Sequence, residues 1–269
     1  MNFVKKIIRY LKLLKAFSII SLMDQMAYPH NFWLAIITKT LRIAIIMLFF
    51  KAIYLKVNNI SGWGFGEALF IFATFSLIDF IANVTFFRNF LFWFSKYLKN
   101  GFFDYRMVKP ANLQFMTAFQ QIDFMDLTTI LPTLLLYWYA LNRMTAVLSI
   151  VNSILYFVLL ANAILFIYSF VLILSTFNFW TIRSTGWGRF AAGILWMARY
   201  PTDIYSGIFK TVFNFILPIA FIATWPAKAF LGILSWQNIL YSLVFTAILF
   251  WLANRFWNFG LKHYSSASS

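Results

Sequence analysis

Long apolar runs separated by short polar breaks set the limits on this chain, and no large soluble domain is inserted between them. Runs of about 20 residues suit helices crossing a hydrocarbon core about 30 Å thick, whereas barrel strands would show weaker, alternating ten-residue segments. With 62% hydrophobic residues, 11% charged and a mean hydropathy of +0.79, the chain lies far outside the range of soluble domains. The fold class that follows is all-α, a polytopic membrane protein with six transmembrane helices.

The N-terminus, MNFVKKIIRYLKLLKAF, threads basic residues through apolar ones and lacks the clean apolar core and small-residue cleavage site of a signal peptide. On a helix, Phe3, Val4, Ile7, Ile8, Leu11 and Leu14 form one stripe with Lys5, Arg9 and Lys12 opposite. Residues 1–30 therefore read as an amphipathic helix in the membrane interface, with an ordinary helix packed on protein as the alternative. Tyr28, Pro29 and His30 break it. Spans are then expected at 33–55, 67–87, 115–141, 146–177, 204–221 and 237–256, with Pro132 kinking the third. Lys228 to Trp236 is a candidate re-entrant segment before the sixth.

With both termini on one side, all of the 22 Lys and Arg except Lys51, Lys56, Arg143 and Lys228 fall on the face that carries them. That bias orients both termini to the cytoplasm and explains the net charge of +15 without nucleic acid. GxGxxG, GxxxxGK[ST] and GxSxG patterns are all absent, as is cysteine. Nucleotide-binding loops, disulfides and thiolate chemistry are thereby excluded. His30 and His263 both flank spans, so neither haem nor a metal cofactor is expected in this chain.

The ionisable residues inside spans are the candidates for function. Asp123 and Asp126, three apart, share roughly one helix face with Gln120 one turn earlier. They read as facing water or pairing across a dimer interface, as a polar lining of a substrate path, or as an acid–base pair. Asp79 lies deeper and needs a partner such as Lys51 or a polar neighbour; a helix–helix contact is expected there.

Four stretches carry a family resemblance. NGFFDYRMVKP at 100–110, RYPTDIYSGIFK at 199–210, LPIAFIATWPAKAFLG at 217–232 and WNFGLKHYSSAS from Trp257 resemble, in order and spacing, the six-span subgroup of type-2 ABC exporter permeases. The resemblance implies that residues 96–112 hold a coupling helix gripped by a cytoplasmic ABC ATPase. Phe102, Phe103 and Tyr105 would then be the anchors, and Asp104, Arg106 and Lys109 the charged contacts. It further implies ATP and Mg on that partner, a second permease copy or a related permease completing the path, and a bacterial inner membrane location. The competing readings are a membrane-embedded lipid-modifying enzyme using Asp123 and Asp126, and a channel or scaffold without an ATPase.

Overall fold

The computed structural model describes residues 3–144, 149–181 and 186–264, so the expected fourth-span start at Ala146, Arg183 and the closing serines lie outside the described residues. Helix α1 (Phe3–Met26) leaves Val4, Ile7, Ile8 and Leu11 exposed, as an interfacial helix requires. It stops at Tyr28, which the following Pro29 forces out of helical geometry, with φ −128° and ψ 71°. Pro29 then opens α2 (Pro29–Tyr54), where its missing N–H costs nothing.

Ser61 (φ 52°) and Gly62 (φ 86°) turn the chain into α3 (Phe65–Thr85), where Glu67 accepts the Gly64 N–H at 2.9 Å. At this end Gly66 lies against the backbone of Arg143; a Cβ there would sit 2.7 Å from the Arg143 carbonyl. Past Phe86 a π-helical turn, Asn89–Trp93, leads into α4 (Phe94–Lys99), α5 (Asp104–Met107) and α6 (Leu113–Phe119).

The expected span at 115–141 is not one helix. α6 ends before Gln120, and a 3-10 turn, Phe124–Thr129, leads into α7 (Ile130–Leu141). Pro132 falls in the first turn of α7, where no intrahelical N–H is needed, so it starts this helix instead of kinking it.

Helix α8 (Ile150–Thr176) is the central strut. α12 (Trp236–Lys262) packs along it, α3 packs against both α7 and α8, and the three share one core. In lipid the hydrophobic effect does not drive helices together, so close packing must. Gly260 shows how close: a Cβ on it would lie 2.6 Å from the Phe179 ring.

The stretch after α8 differs from expectation. α9 (Gly186–Trp196) starts against the Phe92 ring, near α4, and continues through a 3-10 turn, Met197–Arg199. It delivers Asp203 to Trp63, in the turn between α2 and α3, whose indole N–H donates to it at 3.0 Å. Residues 204–221 instead form α10 (Gly207–Thr211), extended by a π turn to Ile216, and a short turn at Ile219–Phe221. Gly207 at φ 58° and Pro218, which holds Leu217 at φ −120° and ψ 76°, break the apolar run that suggested a span.

α11 (Thr224–Phe230) follows, with Phe230 stacked on Phe70 of α3 at 4.7 Å. Trp225, Pro226 and Ala227 are buried, so the broken backbone here is covered by protein. α10 and α11 thus stay at the Trp63 end. Among the described residues, five helical stretches are long and apolar enough to cross a membrane: α2, α3, Phe124–Leu141, Ile150–Phe179 and α12.

Candidate functional site

The loop between α4 and α6 is held from behind and open in front. Gly101, at φ 71°, turns the chain so that Phe103 points inward. Phe103 is fully buried, 5.4 Å from the Phe94 ring, 5.8 Å from Phe179 and 5.3 Å from Tyr264. This corrects its expected role as a docking anchor: it fixes the loop to the aromatic core around Trp257. Arg106 also turns back, its guanidinium 4.1 Å from the centre of the Tyr97 ring. Burial lowers its pKa from the ordinary value and Tyr97 opposes the shift, while a guanidinium stays charged throughout.

Asp104 opens α5 and is only partly exposed. What faces outward is Phe102, Tyr105, Met107, Val108 and Lys109, with Tyr105 70% and Val108 81% exposed. Helix α1 secures the far side of the loop. Arg9 donates to the Pro110 carbonyl, the Asn112 N–H donates to the Tyr10 hydroxyl at 3.2 Å, and Tyr10 meets Phe115 edge-on at 4.7 Å.

The second candidate group gathers where α2, α3 and the break after α6 meet. Asp123 caps the 3-10 turn through the Met125 N–H at 3.0 Å and pairs with Arg88. Asp126 takes Lys39 on one oxygen and Arg88 on the other, the latter at 3.3 Å. Asp79 pairs with Arg42 at 3.4 Å and accepts from Asn83 at 2.8 Å. Lys51 is thus not its partner, because Arg42 sits at the depth of Asp79 on the facing helix.

Three acids meet three cations within one chain, and the two carboxylates once read as an acid–base pair are each matched. Gln120, at the end of α6, is buried apart from them. The sequence reading missed Lys39, Arg42 and Arg88 as members of this group. The available signal was that cations within or beside spans need partners, and that Lys39 and Arg42 are three apart on one helix.

The remaining motif residues are structural joints. Asp203 pairs with Lys228 at 2.8 Å, tying the 199–210 stretch to the 217–232 stretch. Trp257 lies 5.2 Å from Phe94 and 5.9 Å from Phe90, so the C-terminal stretch packs behind the 100–110 loop. Among the described residues no group of three or more His, Cys, Asp or Glu side chains could hold a metal ion.

These joints extend over most of the length matched by a family: the sequence model for ABC-2 family transporter proteins covers residues 40–268. The chain belongs to the ABC-2 transporter family. It is a multi-pass membrane protein and a transport permease of that family, whose members work with ABC ATPases. No curated protein and no solved structure matches it significantly. The ABC-2 match begins inside α2, so α1 and the elbow after it lie outside.

Proposed function

We propose that this ABC-2 permease is the membrane subunit of an ATP-driven exporter and that α5 with its flanks is the surface a cytoplasmic ATPase grips. The observation that carries the reading is the division of labour in the loop. Phe103 and Arg106 are turned inward to stiffen it, leaving Phe102, Tyr105, Val108 and Lys109 on a rigid exposed knob. Exposed aromatics around a short helix are the anchors that interfaces favour. ATP and Mg would belong to the partner. A second copy, or a related permease, would complete the path and supply the second docking knob. The basic face, with both termini, would be cytoplasmic, in a bacterial inner membrane. The matched ion pairs of Asp123 and Asp126 weigh against a lipid-modifying enzyme, which needs a free acid or base.

Copurification from membranes tests this. Wild-type chain should recover an ATPase in stoichiometric amount, and Tyr105→Ala with Val108→Asp should lose it while remaining folded. Retention of the ATPase by that double variant would move the docking site elsewhere.

A further inference from the structure

At the elbow between α1 and α2 two cavities lie side by side. One, of about 520 Å³, is polar; its walls include Asp24, Tyr28, Arg88, Asn89 and Trp93. The other, of about 270 Å³, is lined by Leu22, Met26, Phe32, Trp33 and Phe124. Gln25 and Met125 border both. Gln25 is fixed as their shared sill, donating to the Ile122 carbonyl at 2.8 Å and accepting the Met125 N–H at 3.1 Å. A polar chamber opening beside an apolar one has the shape of a seat for a head and a chain.

The polar chamber also states which head. Asn89 is 2% exposed, and its amide N–H groups are used on the carbonyls of Thr85, Ala118 and Gln121 at 2.6 to 2.8 Å. Its Oδ1 is unpaired among the described residues but is itself shut off from the chamber, so a head meets the charged groups of the walls instead. Of the carboxylates in the walls Asp123 is taken by Arg88, whereas Asp24 is exposed, so a cationic donor suits Asp24. Arg88 keeps 45% of its side chain exposed after pairing with Asp123 and Asp126, and a guanidinium has five N–H groups, enough to add a phosphate.

We infer that this elbow is a binding site for an amphiphile with a phosphate and a primary ammonium in its head, as in an ethanolamine phospholipid. The ammonium donates to the exposed Asp24 carboxylate, the phosphate meets Arg88, and one acyl chain enters the apolar cleft. The site joins α1 and the elbow, which precede the family match, to Arg88 and the break after α6, which lie inside it, and it does not rest on the exporter reading.

The test uses the full chain in delipidated detergent micelles, with bound lipid counted by native mass spectrometry. Lysophosphatidylethanolamine should bind about tenfold more tightly than lysophosphatidylcholine of the same chain, because a quaternary ammonium has no N–H. Asp24→Asn, at an exposed position, should remove most of that preference, and Leu22→Trp, filling the cleft, should weaken both lipids alike. Dodecylammonium, which lacks the phosphate, should bind at least tenfold more weakly than lysophosphatidylethanolamine. Equal binding of the two lysolipids, a preference untouched by Asp24→Asn, or dodecylammonium binding as tightly as the lipid would each overturn the assignment.

Discussion

Helices α2 and α8 have 26 and 27 residues and are both apolar nearly all round, yet they are held in different ways. α8 buries residues along its whole length, Phe166 and Val171 among them, whereas α2 buries only Ile43 and Phe50. What fastens α2 is charge: Lys39 reaches Asp126 and the Met125 carbonyl, and Arg42 reaches Asp79. One helix is a packed strut, and the other is an outer helix pinned at two points with most of its remaining surface uncovered by the chain. Hydropathy passes both as spans, so burial of a span has to be read from its few polar residues and their partners.

The comparison is broken most sharply at the pins. Asp126→Leu strands Lys39 and half of the Arg88 pairing, and should cost about 3–5 kcal/mol in mixed-micelle unfolding, the range for removing one partner of a buried pair. Adding Lys39→Met should recover much of that loss, which a double-mutant cycle would detect. Next in size, Phe166→Ala in α8 should cost about 3–4 kcal/mol through the cavity it leaves, by the same measurement. Asp203→Asn, acting on a partly exposed pair with Lys228, should cost only about 1 kcal/mol and loosen the tie between the 199–210 stretch and α11. Smallest of all, Leu41→Ala on the exposed face of α2 should fall within about 0.5 kcal/mol of wild type. A loss there as large as that of Phe166→Ala would show that α2 has a packed protein neighbour.

Much of the scaffold was legible in the sequence because its signals are long. The apolar runs of α2, α3, α8 and α12 and the Tyr28–Pro29 elbow follow from hydropathy and from what proline forbids. Less legible was where short pieces go. The run at 204–221 is apolar enough to suggest a span, and only Gly207 in a left-handed conformation and Pro218 betray it. Meanwhile α9, which carries Gly186, Gly188 and Arg189 in its first turn, reads as a soft segment and not as a helix. Phe102 and Phe103 are adjacent and identical in type, so nothing local says which is anchored; that depends on where Phe94, Phe179 and Tyr264 arrive from distant parts of the chain. The ion-pair partners were hidden for the same reason, since each pair joins residues on different elements.

The docking claim can be tested most directly by cross-linking, because the chain contains no cysteine and any introduced thiol is unique. Val108→Cys, on the exposed knob, and Ile150→Cys, 80% exposed at the start of α8, make a matched pair of positions. Membranes carrying each variant would be treated with a short thiol-reactive photo-cross-linker and the adducts identified. The account predicts an adduct between Val108→Cys and an ATPase bearing a GxxxxGK[ST] loop, and none from Ile150→Cys. An ATPase adduct from Ile150→Cys without one from Val108→Cys would contradict it.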